Sequence, residues 1–324
     1  MICENQIRQK ESSNSNAVCC MIPFIIRFAV RLFLAALFLV QVMTAAPAFA
    51  QAPSTEESVS SPAFANGQFI LFPGNDVYPQ YIADPYRPTN AANIQFNSVS
   101  NISDSSSVRV WLAAGGRFGI FRWSPVEPER RKWQLSIEAG LDALYDSGSR
   151  LDNIGYDGNY GITVTTAKTD RSAMLFAYRH VSGHVGDEWL RKNNRQRIDY
   201  RRDELTVGTT FHPADHWRFY GEAAYGIIRL NKELQRPWRV QTGIEREWPR
   251  SFANGRFGWY AAVDLQMYEE RTWQPDFSAE TGLLVDSAGR RWRVGVRYVA
   301  GHPQLTEFFQ DDEQWLTIGL SMDF

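Results

Sequence analysis

The 324-residue chain has three cysteines, Cys3, Cys19 and Cys20, and none after position 20. A mature protein that begins beyond them has no disulfide framework, so its stability must come from packing or from a membrane. Basic blocks are missing too. Without residues 1–50 the chain keeps 30 basic and 34 acidic side chains with no long run of either sign, which argues against nucleic acid as a partner. Helical periodicity is a third absence: beyond residue 66 apolar residues do not recur at i, i+3, i+4 and i+7. The single long apolar run lies near the start of the chain.

That run has the form of an export signal. Arg27 and Arg31 precede an apolar stretch from Leu32 to Met43, and Ala48-Phe49-Ala50 supplies a small-x-small cleavage site. Residues 1–50 therefore read as a secretory signal peptide, with Met21 the more natural start and Gln51 the expected first residue after cleavage. All three cysteines lie upstream of the run, so no lipoprotein box follows it. Residues 51–90 read as an N-terminal leader and lead-in segment, Ser/Pro-rich up to residue 66, and residues 91–324 as one all-β domain.

What the sequence does have is a period of two. Trp238, Val240, Thr242, Ile244, Arg246 and Trp248 alternate with Arg239, Gln241, Gly243, Glu245 and Glu247. Phe257 to Glu270 repeats the pattern, as do Trp217 to Ile228, Phe277 to Val285 and Arg291 to Tyr298. About twelve such segments occur, near 91–99, 107–123, 131–146, 158–168, 171–185, 198–212, 216–230, 237–248, 256–270, 275–286, 290–301 and 313–324. Each is long enough for a tilted strand to cross a bilayer, and an even number suits closure. Trp133, Trp217, Trp238, Trp248, Trp259, Trp292 and Tyr298 fall near strand ends, where interfacial aromatic girdles sit. The spacing predicts a closed antiparallel transmembrane β-barrel of about 12 strands in the bacterial outer membrane; the alternative is a periplasmic β-sandwich.

Connections follow the same logic. AKTDRS, HPADH and SAGR are short, whereas DSGSRLDNIGYDG, VGDEWLRKNNRQR and GHPQLTEFFQDDE are long, as expected for periplasmic turns and surface loops. Leu316, Ile318, Leu320, Met322 and Phe324 share one face of the last segment. A terminal aromatic in that register resembles the signal read by bacterial barrel-assembly machinery, which makes that machinery an expected partner through Phe324. The opposite faces should point inward, with Glu138, Asp142, Arg218, Glu222, Arg239, Glu245, Asp264, Glu280, Arg291, Arg293 and Arg297 pairing across a narrow lumen. Such a filling argues against a general diffusion pore and leaves a small selective channel open.

The chemistry-bearing stretch is YRHVSGHVGDEW, Tyr178 to Trp189. It sits where the fifth barrel strand reaches the outer surface, and His180, Ser182 and His184 share a face with Met174, Phe176 and Tyr178. Polar groups on a lipid-facing wall carry a desolvation cost and call for a functional explanation. Alternate residues on a strand are ~6–7 Å apart, so an imidazole leaning along the strand reaches a serine two positions on. Ser182 and His180 are thus a candidate nucleophile and base, and a third group has to hold the imidazole tautomer. With the hairpin centred near Arg191, that group is Asp203; other centres offer Asn193, Asn194 or Asp199.

His-x-Ser at the outer end of a barrel strand, with a polar partner on the next strand, resembles outer-membrane phospholipase A and the lipid A deacylases. The resemblance implies a serine acyl-ester hydrolase acting on outer-leaflet lipid. A wider resemblance covers nearly the whole mature chain: an uncharacterised bacterial family of outer-membrane barrels. Its features are echoed here by Ile82-Ala83-Asp84-Pro85, by the run His180 to Glu188 against an H-x-S-S-H-x-G-D-E box, and by Gly301-His302. Gly183 stands where that box has its second serine.

Other readings stay open. Structurally, Gly183 and Gly186 would bend the strand exit while Asp187 and Glu188 cap the loop. A non-enzymatic barrel binding lipid or lipopolysaccharide would use the same rim. Zinc is disfavoured, because His180 and His184 lie ~13 Å apart on a strand. Calcium on Asp187, Glu188 and Asp152 fits the ligand types but is not demanded by the spacing, so no cofactor is expected.

Overall fold

A computed structural model describes residues 67–323, apart from 103–104, 128–129, 194–196 and 288–289. The expected signal peptide, the three cysteines, the leader to residue 66, Asn194 and the terminal Phe324 lie outside the described residues. Alternation of side chains converts the sequence into thirteen strands: β1 (Gly67–Leu71), β2 (Asn90–Ser100), β3 (Val108–Pro125), β4 (Lys132–Asp146), β5 (Asp152–Thr169), β6 (Ser172–Val185), β7 (Arg201–Phe211), β8 (Trp217–Arg229), β9 (Trp238–Phe252), β10 (Phe257–Tyr268), β11 (Pro275–Ser287), β12 (Arg290–Gly301) and β13 (Glu313–Asp323). A six-residue helix, α1 (Asp187–Lys192), lies between β6 and β7.

β2 to β13 pair each with the next, all antiparallel, and β13 pairs back onto β2 with Ile318 opposite Ile94. The result is a closed twelve-stranded barrel, and closure rules out the sandwich. β1 is an extra strand on the last residues of β3, with Phe69 opposite Trp123. The first residues of β2 pair with the last of β13, so both ends of the described chain lie at one end of the barrel, here the terminal end. Connections there are brief, as at 170–171, while the opposite, distal end carries 186–200 and 302–312.

Solvent preference is inverted across the wall. Leu141, Ile162, Leu205, Val207 and Ile318 are exposed, whereas Gln95, Arg109, Arg202 and Asp264 are at most 1% exposed. Buried ions cost several kcal/mol each unless paired, and here they are paired. Arg117 meets Glu138 at 2.5 Å, Arg179 joins Glu138 to Glu222 at 3.1 and 2.9 Å, and Arg239 holds Glu204 at 2.6 Å. Arg202 continues the ladder from Glu204, at 3.0 Å, to Glu270, at 3.3 Å. The predicted inward set is buried except for Arg291, which is half-exposed near the terminal end between Glu247 and Asp286.

Two features go beyond the alternation of the strands. The lead-in segment, whose placement the alternation leaves open, turns after Phe72 and fills the lumen. Tyr81 donates to Glu222 at 2.8 Å, the Ile82 amide to Glu245 at 2.6 Å, and Gln241 and Gln266 both donate to Asp84. Burial beside the Glu222 carboxylate pushes the Tyr78 phenol up to about 12, and burial raises Tyr81 and Tyr86 as well. The long links differ from expectation. β5 begins at Asp152, so the expected loop DSGSRLDNIGYDG shrinks to residues 147–151. Residues 302–312 fold inward, and Leu305 and Phe308 join Trp111, Leu144, Ile154 and Trp189 in an apolar stopper. Burial of Ile154 in that stopper draws the start of β5 into the sheet.

Candidate active site

β6 carries the box in strict alternation. Ala173, Leu175 and Ala177 are buried inward, while Met174 and Phe176 are exposed on the outer wall, continued by Tyr178, His180, Ser182 and His184. The hairpin to β7 sets His180 opposite Asp203 and Ser182 opposite Arg201, as expected for a centre near Arg191. His180 Nδ1 lies 2.5 Å from Asp203 Oδ1. Tyr178 donates its hydroxyl to Asp203 Oδ2 at 3.1 Å, and Arg201 stands 3.5 Å from the same oxygen. Asp203 is 2% exposed and His180 9%, so the pair is shielded although it belongs to the outer wall. With Nδ1 donating to the carboxylate, Nε2 is left as the basic nitrogen. Among the described residues no hydrogen bond joins Ser182 to His180.

β5 builds the other side. Tyr160 is paired with His180, Gly158 with Ser182 and Tyr156 with His184. The Tyr160 ring stacks on His180 at 4.4 Å and Tyr156 on His184 at 5.0 Å. Two ring pairs therefore flank the serine, with a glycine between them. These tyrosines are the site residues that sequence reasoning missed. Their signal was legible: Tyr-x-Gly-x-Tyr over 156–160 matches His-x-Ser-x-His at the same period.

The remaining candidates fall elsewhere. Gly183 faces inward, where a Cβ would approach Thr306 Oγ1 to 2.7 Å and the Glu307 amide to 2.9 Å. It makes room for the inward loop rather than bending the strand, and a second serine there would not share the face of Ser182. Gly186 precedes α1 and lies so close to the Asn153 carbonyl that no side chain fits. Asp187 and Glu188 occupy the first turn of α1, with Arg191 and Lys192 in the last, as the helix dipole favours. Asp152 pairs with Lys192 instead of joining them. Among the described residues no group of three or more His, Cys, Asp or Glu is arranged to hold a metal. Asn193 bonds the Trp189 carbonyl, and Asp199 pairs with Arg197. His302 lies on the inner side, 2.7 Å from Asp276 and stacked on Tyr86 at 4.2 Å.

Comparison with known proteins bears on the barrel itself. The outer membrane phospholipase (OMPLA) dimer of Salmonella typhi with bound calcium is similar with a TM-score of 0.51 at 11% identity, over 77% of this chain and 98% of that chain. Outer membrane phospholipase A from Escherichia coli gives 0.49 at 10%, over 72% and 92%. LpxR from Salmonella typhimurium gives 0.37 at 9%, over 72% and 99%. At these identities the likeness is one of fold, that of outer-membrane barrels. No curated protein matches the sequence. A family match does, described as protein of unknown function (DUF1207), and because it runs from residue 4 to residue 324 the chain belongs to that family.

Proposed function

We propose that the chain resides in the bacterial outer membrane and that its distal rim, turned to the cell surface, carries a serine acyl-ester hydrolase site for outer-leaflet lipid. The observation that carries this reading is the 2.5 Å contact between His180 Nδ1 and Asp203, on the outer wall, with Ser182 two residues along the same face. Ser182 Oγ attacks the ester carbonyl and His180 Nε2 takes its proton. The imidazolium returns that proton to the leaving alcohol, and water then releases the fatty acid by the reverse sequence. Asp203 orients the ring and stabilises its charged form. Arg201, across from Ser182, is the cation in register to meet developing negative charge. The open Ser182–His180 geometry is compatible with a substrate-free site, in which catalytic hydrogen bonds are often long. The fold likeness to an outer membrane phospholipase agrees with this assignment.

A filled lumen favours surface chemistry over transport. Among the described residues a cavity of ≈ 130 Å³ is bounded by the ionic ladder, Tyr78, Tyr86 and Phe309. The test is hydrolysis of phospholipid and lipid A vesicles by the refolded protein. Ser182→Ala and His180→Ala should abolish release of fatty acid, and Asp203→Asn should lower kcat by roughly 10²–10⁴-fold. Activity untouched by the first two changes would overturn the triad and leave a lipid- or lipopolysaccharide-binding barrel as the reading.

A further inference from the structure

Between Trp238 and Trp248, one charged residue breaks the outer face of β9. Arg246 points outward between Ile244 and Trp248, in register with Trp217 on β8 and Ala261 on β10. Its guanidinium lies 4.6 Å from the Trp217 ring centroid and 4.2 Å from that of Trp248, clamped between two indoles. Such stacking fixes a planar cation without neutralising it. Among the described residues no carboxylate pairs with Arg246, and its buried Nε has no hydrogen-bond partner. On the inner side, by contrast, Arg109, Arg202, Arg218, Arg239, Arg293 and Arg297 each meet a carboxylate.

A groove of ≈ 450 Å³ opens beside it on the same wall. Its floor is made of small side chains, Ala261, Ala279 and Thr281, which the register sets next to one another on β10 and β11. The Thr281 hydroxyl donates to the Tyr260 carbonyl and so presents its methyl outward. Trp217 and Trp248 close the end towards the terminal rim, at the level where headgroups meet hydrocarbon. A bound positive charge at headgroup depth and an apolar channel leading into the bilayer match the two halves of one ligand.

We propose that this wall is a binding site for an anionic phospholipid of the periplasmic leaflet, its phosphate on Arg246 and one acyl chain along the groove. A zwitterionic amine headgroup would bring an ammonium, for which Arg246 offers no counter-charge, so lipids of net negative charge are selected. The site lies at the opposite end of the barrel from Ser182. It rests on the membrane residence proposed above and not on the hydrolase assignment.

The test inserts wild-type protein and Arg246→Gln into vesicles of phosphatidylglycerol and phosphatidylethanolamine, extracts them in mild detergent and counts retained lipid by native mass spectrometry. The wild type should retain phosphatidylglycerol at least tenfold better than the variant and should prefer it to phosphatidylethanolamine. Arg246→Lys should keep part of the preference, and Ala261→Phe should reduce retention with the charge intact. Equal retention by wild type and Arg246→Gln, both inserted, would overturn the lipid site alone. Failure of the wild type to insert would overturn membrane residence, and this site with it. A second copy of the chain held on this face in place of lipid, seen as a dimer mass, would overturn it in favour of self-association.

Discussion

Gly158 lies directly across from Ser182, and a Cβ at Gly158 would sit 3.6 Å from the serine Oγ, an ordinary contact distance. The slot between the Tyr156–His184 and Tyr160–His180 stacks is therefore as wide as one missing side chain. Gly158→Ala should fold and keep hydrolysis within a few-fold. Gly158→Leu should fill the slot and reduce hydrolysis by roughly 100-fold while the heat-modifiable gel mobility of the folded barrel stays unchanged. Equal activity in the two variants would show that substrate does not approach over Gly158.

Arg179 bridges two carboxylates inside the wall, Glu138 and Glu222. Its removal strips both of a counter-charge in a shielded lumen. Arg179→Met should destabilise the barrel by ~3–5 kcal/mol, read as a lower urea midpoint of the mobility shift. Adding Glu222→Gln should recover part of the loss, because the second change removes one of the stranded charges.

Alkali should loosen the lumen plug, and neutral pH should leave it intact. The folded Tyr78 phenol holds its proton up to about 12, above its ordinary value of 10.0. Its contribution to stability is thus complete below pH ~10 and is lost as pH rises through ~12, at up to ~1.4 kcal/mol per pH unit. Urea midpoints measured from pH 8 to 12 should stay level to about pH 10 and then fall. Tyr78→Phe should flatten that descent, and an unchanged slope in the variant would refute the linkage.

The barrel was legible because period two is a local property: β9 and β10 each display their two faces in a dozen or so residues, without reference to any neighbour. The same regularity made the β6–β7 register recoverable, since a hairpin centre fixes every pair above it, His180 with Asp203 included. The plug was not legible. Residues 73–89 fit their surroundings one side chain at a time, Tyr81 against Glu222 and Asp84 against Gln241 and Gln266, and such fitting leaves no repeat. The inward fold of 302–312 escaped notice for a related reason, because only the assembled mouth shows that Leu305 and Phe308 have a stopper to join. Half of the Tyr-x-Gly-x-Tyr signal was cut off by a boundary: with the strand taken to start at residue 158, Tyr160 stays in it but Tyr156 reads as loop.

Glu307 accepts the backbone amides of Ile198, Asp199 and Tyr200, the three residues that lead into β7. The chain is made from its N-terminus, so the segment that pins the His180–Asp203 hairpin is supplied more than a hundred residues after that hairpin. Without the β12–β13 link the approach to β7 keeps the Gly183 amide on the Tyr200 carbonyl and the Tyr200 hydroxyl on Glu270 but loses all three amide bonds to Glu307. Completion of the cylinder thus adds the last clasp on the rim hairpin.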